Sequence, residues 1–283
     1  MSNLGQRIAT AAVLVPLVAG LVELAPSALL AVVLGIVVLA AAWEWGNLAG
    51  WRRSRDRWLF CAGTLVAMAA AYLGLGDAAL ARWVLAGGLL WWIVALYWVL
   101  DFQLRGEDGS AFSRAVSPGS MVFHGWLVLL PPWLGLVAMH GATSAGPHLV
   151  LGLLVIIWGA DTGAYFAGRA VGRRRLAARV SPGKTWEGVV GGALVGASLA
   201  AALGGLVDLP GWSWWEMGLL GLVTVALSVV GDLLESLYKR RVGVKDSSAL
   251  LPGHGGVLDR IDSLTAAAVV FPLAIFASSV GRP

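Results

Sequence analysis

Nine stretches of mostly apolar residues follow one another along this chain, near 8–24, 27–49, 58–76, 80–100, 118–140, 147–169, 186–207, 214–238 and 257–280. Most are long enough to carry a helix through the hydrocarbon layer, which takes ~20 residues. Inside that layer no backbone N–H or C=O can be left unpaired, so runs of this kind cross as helices. The composition agrees: of 283 residues 58% are hydrophobic and 13% charged. Soluble domains are nearer ~45–50% and ~25%. The mean hydropathy is +0.80. The 38 glycines and 15 tryptophans suit close helix packing and anchoring at the membrane interface. The expected fold is all-α, a polytopic transmembrane helical bundle of about nine spanning helices. It forms one integral membrane domain over 1–283, with the spans at about 8–140 as scaffold and 147–280 as the catalytic region.

Only Ala25 and Pro26 separate the first two runs, so those helices form a tight hairpin. Arg7 ahead of the first run resembles the start of a signal peptide. No clean small-x-small site follows, however, and Glu23 and Pro26 lead straight into the next span, so the first run is read as a mature helix. Basic residues concentrate in cytoplasmic loops. With nine spans and a cytoplasmic N-terminus, 18 of the 20 Lys and Arg residues fall inside, and only Arg82 and Arg282 fall outside. A miscount by one helix would scramble that sorting. The net charge of +4 therefore carries no sign of nucleic acid. The same basic loops would favour anionic lipid headgroups. A single cysteine, Cys61, excludes a disulfide framework and a cysteine metal site.

Ionisable residues inside spans are costly and point to function by default. Glu44, between Trp43 and Trp45 near the end of the second span, either reaches to the interface beside Arg52 or Arg53 or belongs to a site. Asp161 precedes Arg169 by eight residues, which places it roughly 12 Å below the interface at ~1.5 Å per residue. Nothing local in sequence neutralises it, so it calls for a cation, a metal or a wet cavity. Ser181-Pro182-Gly183-Lys184-Thr185-Trp186-Glu187-Gly188 opens the seventh span. Gly-Lys-Thr suggests a phosphate loop, but that motif needs a glycine where Ala178 stands. What survives is a helix N-terminus with a lysine and two hydroxyls, an anion site, or plain capping by Ser181 or Thr185. The glycines at 188, 191, 192 and 196 serve close helix packing rather than a ligand.

The densest charge lies between the last two spans. Asp232, Glu235, Ser236 and Lys239 share one helical face. Lys239-Arg240-Arg241, Lys245-Asp246, Pro252-Gly253-His254-Gly255-Gly256 and Asp259-Arg260-Ile261-Asp262 follow. Carboxylates without a Cys or His cluster suit a hard cation such as Mg²⁺. Lysines and arginines beside them would neutralise phosphate oxygens. Phosphoryl or nucleotidyl transfer asks for this mixture, because its catalysis is mostly positioning and charge stabilisation.

The stretch from Ser236 to Asp262 resembles the signature of phosphatidate cytidylyltransferases (CDP-diacylglycerol synthases). That signature has Ser, an apolar residue, Lys-Arg, Lys-Asp, Pro-x-His-Gly-Gly and Asp-Arg-apolar-Asp. Here it is met by Ser236, Lys239-Arg240, Lys245-Asp246, Pro252, His254-Gly255-Gly256 and Asp259-Arg260-Ile261-Asp262. Tyr238 stands where the pattern prefers an aliphatic residue or Phe. The resemblance implies transfer of the cytidylyl group of CTP to phosphatidate in phospholipid biosynthesis, giving CDP-diacylglycerol and pyrophosphate. It further implies a Mg²⁺-dependent site, with room for a second cation, facing the cytoplasm from a bacterial-type inner membrane. Asp232 and Asp259 map onto the metal-holding and catalytic aspartates of that family, and Lys239 and Lys245 are expected beside them as catalytic cations that neutralise phosphate. Asp161, Ser181, Lys184, Thr185, Arg240, Asp246, His254, Gly255, Gly256 and Arg260 are the expected substrate contacts. The glycine-rich faces are compatible with a homodimer. The alternatives are another membrane lipid phosphotransferase or a CTP-dependent lipid kinase, the latter left open by charge chemistry alone. A cation-coupled transporter using Asp161, Asp232 and Glu44 would need acids toward both faces, and the outer half has almost none.

Overall fold

The computed structural model describes residues 15–207, 209–250 and 255–278. After α1 (Val15–Leu24) the chain reverses at Ala25 and Pro26 into α2 (Ser27–Leu48). A positive-φ turn at Gly50 leads to α3 (Ser54–Leu73). Asp77 then caps α4 (Ala78–Arg105) by accepting from the Ala79 amide at 2.8 Å. The short α5 (Ala111–Ala115) is capped by Ser110 and precedes α6 (Ser120–Ala142) and α7 (Gly146–Val171). Two short strands, β1 (Arg175–Ala177) and β2 (Ser181–Thr185), pair antiparallel before α8 (Trp186–Leu206). The bundle closes with α9 (Trp214–Arg241), started by a Ser213–Glu216 capping box, and α10 (Leu258–Ser278).

The protein is thus a polytopic helical bundle. Seven of the described helices, α2, α4 and α6 to α10, are long and apolar enough to cross a membrane. α3 opens on Arg55, Asp56 and Arg57 and is not among the seven, and α1 is described only from Val15. The β1–β2 hairpin corrects the all-α expectation at one place. Ser181 does not open a helix but pairs with Ala177, four residues ahead of the Thr185 cap.

α10 is the centre of the bundle. Ala266, Ala267, Ala268, Val269 and Phe271 on it are fully buried, and it touches α9, α6, α4, α7 and α2. Small residues allow that approach. A Cβ at Gly231 of α9 would sit 2.5 Å from the Asp262 carbonyl oxygen, so the two helices meet backbone to backbone beside Asp232. α7 and α8 pair the same way: a Cβ at Gly192 would lie 2.7 Å from the Ala160 oxygen, and one at Gly188 3.0 Å from the Ala164 oxygen. These glycines pack helices, as the sequence suggested.

The hairpin closes the end of the bundle that carries the site. Val180 and Ala177 are buried, Arg240 Nε donates to the Val180 carbonyl at 3.2 Å, and the Arg179 amide donates to Gln103 Oε1 at 3.0 Å. The described histidines tie helices together away from the site. His124 meets the Tyr238 hydroxyl at 3.1 Å inside a cluster with Trp91 and Trp98. His140 lies 2.8 Å from Ser27 Oγ, and His148 lies 2.8 Å from Glu23.

Candidate active site

A cavity of about 560 Å³ sits where α7, β2, α8, α9 and α10 meet, and every residue lining it comes from those elements. Its apolar wall is made by Ala160, Ala164, Val225 and Val229. Four carboxylates face the same space, Asp161 from α7, Asp232 from α9, and Asp259 and Asp262 from α10. Lys184, Arg169 and Arg260 supply the positive charge, and Thr185, Ser228 and Ser263 supply hydroxyls.

Helical periodicity accounts for the convergence. Ser228 and Asp232 are one turn apart on α9, and Asp259 and Asp262 are one turn apart on α10. The glycine contact at Gly231 brings those two faces against each other. Lys184 projects from the end of β2 and forms an ion pair with Asp232, both side chains about a quarter exposed. Asp232 also lies 3.4 Å from the Ser236 hydroxyl, a long contact. Thr185 is bound to its own helix, accepting from the Gly188 amide at 3.1 Å. That is the plain capping alternative, although Thr185 also lines the cavity beside Lys184.

Asp259 is held differently. Its Oδ2 accepts from the Ser247 amide at 2.9 Å and the Gly256 amide at 2.8 Å, and lies 3.0 Å from the Ser247 hydroxyl, whose one proton is shared with a second carboxylate. Its Oδ1 accepts from Lys239 Nζ at 2.9 Å. Lys239 Nζ is also 3.0 Å from Glu235 Oε1, so this lysine stands between two nearly buried carboxylates. The sequence put Lys239 toward phosphates, but here it balances Asp259 and Glu235 and does not line the cavity. The reason is the i,i+4 step to Glu235 on one side and the arrival of α10 on the other.

The two glycines of the last loop have steric reasons for being glycine. Gly255 has φ +81°, and a Cβ there would be 2.8 Å from Asp259 Oδ2. A Cβ at Gly256 would be 2.8 Å from the Glu44 carboxyl carbon. Both are needed for the loop to close over the carboxylates.

Of the residues singled out in the sequence, the cavity brings together Asp161, Lys184, Thr185, Asp232, Asp259 and Arg260. Ser181, Lys239, Arg240, Lys245, Asp246, Gly255 and Gly256 are not among its lining. Lys245 and Asp246 are exposed in the α9–α10 loop, and Arg240 is engaged with the hairpin. His254 lies outside the described residues. Sequence reasoning named Asp262 in the signature without giving it a role, and did not select Ser228, Ser263 or Arg169. The one-turn spacings from Asp259, Asp232 and Tyr165 were the available signals, and the Tyr165 hydroxyl does accept from Arg169 at 3.0 Å.

Seven apolar helices and a cavity lined by carboxylates, lysine and arginine define an integral membrane protein with a charged pocket inside its bundle. The chain belongs to the cytidylyltransferase family, whose model matches residues 5–278. It is similar to the phosphatidate cytidylyltransferase of Pseudomonas aeruginosa, 46% identical over 99% of this chain and 100% of that protein. The protein of the same name from Haemophilus influenzae is 36% identical over 95% of this chain and 97% of its own length. The one from Brucella suis is 45% identical over 51% of this chain and 53% of its own.

Proposed function

We propose that this chain transfers the cytidylyl group of CTP to phosphatidate, forming CDP-diacylglycerol and releasing pyrophosphate. The observation that carries the reading is the single cavity in which Asp161, Asp232, Asp259 and Asp262 meet Lys184 and Arg260, within a chain matched end to end by phosphatidate cytidylyltransferases. An oxygen of the lipid phosphate attacks the α-phosphorus of CTP. The new P–O bond forms as the bond from the α-phosphorus to the bridging oxygen breaks, and pyrophosphate leaves. The nucleophile arrives already ionised, so no protein nucleophile is needed. Lys184 and Arg260 offset phosphate charge, and the apolar wall from Ala160 to Val229 suits the glycerol and acyl side of the lipid.

The donor chemistry fits Mg²⁺. The cavity's carboxylates and hydroxyls offer only oxygen donors. Among the described residues, no group of three or more His, Cys, Asp or Glu side chains forms a full protein cage there. Mg²⁺ is commonly held by one or two carboxylates with substrate phosphates and water completing its shell. Asp232 and Asp259 are the residues that would hold it. When bound it supplies charge against that growing on pyrophosphate. The proposal includes nine membrane crossings, a cytoplasmic N-terminus and an active site on the cytoplasmic side of a bacterial inner membrane. It also assigns the scaffold role to 8–140 and the catalytic role to 147–280, with the α9–α10 loop, Lys245 and Asp246 included, meeting the nucleotide.

The test uses purified protein in detergent with CTP, phosphatidate and Mg²⁺. CDP-diacylglycerol and pyrophosphate should appear in equal amounts, and Asp232→Ala should abolish both. Release of CDP instead of pyrophosphate would indicate a lipid kinase and overturn the assignment.

A further inference from the structure

Glu44 lies on α2, outside the set of helices that lines the cavity, and is 1% exposed. The interface beside Arg52 and Arg53, one of its two sequence readings, is not where its carboxylate goes. Each of its oxygens accepts two hydrogen bonds. Oε1 takes the Ser248 hydroxyl at 2.6 Å and the Val257 amide at 2.9 Å. Oε2 takes the Ser247 hydroxyl at 3.0 Å and the Leu258 amide at 2.8 Å. Two of those donors are backbone N–H groups at the start of α10, where Val257 has no side chain able to cap. A carboxylate from another helix therefore does the capping, where negative charge is also favoured by the helix dipole.

The Ser247 hydroxyl lies 3.0 Å from Glu44 Oε2 and 3.0 Å from Asp259 Oδ2, and the Ser247 amide donates to Asp259. One turn along α2, Asn47 Nδ2 donates to the Ser247 carbonyl at 2.8 Å. Thus α2 grips Ser247 at two points, and Ser247 in turn grips Asp259. We propose that Glu44 is a positioning residue for cytidylyl transfer, fixing residues 247–248 and the first turn of α10 so that Asp259 is held in one orientation toward the cavity. This rests on the reaction proposed above.

Glu44→Gln is a sharp test because each oxygen site faces one hydroxyl and one backbone N–H. The hydroxyl can turn to accept from an amide NH₂, but the backbone N–H cannot. Whichever way the glutamine turns, it leaves one N–H at the start of α10 without an acceptor. The expected result in purified protein is kcat lower by about tenfold or more, with KM for CTP and for phosphatidate within about threefold of wild type, the pattern of an interaction made in the transition state. Glu44→Asp, which keeps the charge on a shorter arm, should recover part of that kcat. Ser247→Ala removes the bridge while leaving the cap of α10 in place, so it should lower kcat in the same way even if Glu44→Gln fails to fold. Wild-type kcat in folded Glu44→Gln or Ser247→Ala, or a loss confined to KM, would overturn the role. Wild-type protein that makes no CDP-lipid would overturn the reaction itself, and this role with it.

Discussion

Lys184 and Lys239 carry the same charge but answer to different partners. Lys184 meets Asp232 at the cavity wall, whereas Lys239 stands between Glu235 and Asp259 with its side chain 12% exposed. Replacing each by methionine should separate the two roles. Lys184→Met should lower kcat about 100-fold, as when one preorganised charge partner of a transition state is removed, with little change in melting temperature. Lys239→Met leaves two nearly buried carboxylates facing one another, and should cost about 3–5 kcal/mol of stability, seen as a lower melting temperature in detergent. Equal melting temperatures for the two variants would count against the division. The residue face from Asp232 to Lys239 was legible in the sequence because helical spacing fixes it. Which group lies opposite was not, since that depends on α10 arriving from another part of the chain. For the same reason Glu44 could be noticed as an intramembrane acid while its partners, 203 to 214 residues away, could not.

At the scale of elements, α7 and α8 make the most extensive helix contact in the bundle, and it is built on absent side chains. Gly192→Val puts branched atoms against the Ala160 backbone, next to Asp161 and on the wall of the cavity. Forced overpacking of this kind costs typically about 1–3 kcal/mol. Both the melting temperature and the rate of CDP-lipid formation should fall, and an unchanged pair of values would contradict the close approach. The helices themselves were readable from length and hydropathy, because the bilayer imposes both. The β1–β2 hairpin was not. Its strands are three and five residues long, Arg-Leu-Ala and Ser-Pro-Gly-Lys-Thr, and carry no alternation of apolar and polar residues. Its geometry comes instead from anchors on other elements, the Val180 carbonyl on Arg240 and Arg179 on Gln103.

For the whole molecule the proposed topology makes a prediction about sidedness. The native Cys61 is buried, so introduced cysteines can be read against a low background. Cysteines at Glu107 and Lys245, both exposed in their loops, should react with a membrane-impermeant thiol reagent only from the cytoplasmic side. A cysteine at the exposed Ser144 should react only from the opposite side. Labelling of Lys245→Cys and Ser144→Cys from the same side would sink the nine-crossing arrangement.

The bond between the second helix and the last also has a meaning in time. During synthesis α2 enters the membrane more than 200 residues before the amides and hydroxyls that its carboxylate will meet. Until α10 is threaded into place, Glu44 is an acid in hydrocarbon without its native donors, a state that costs several kcal/mol. Completion of the bundle removes that cost and sets Asp259 in the same event. With the roles proposed for Asp259 and Glu44, a growing chain stays inert until its last helix is home, and begins to consume nucleotide only once it is whole.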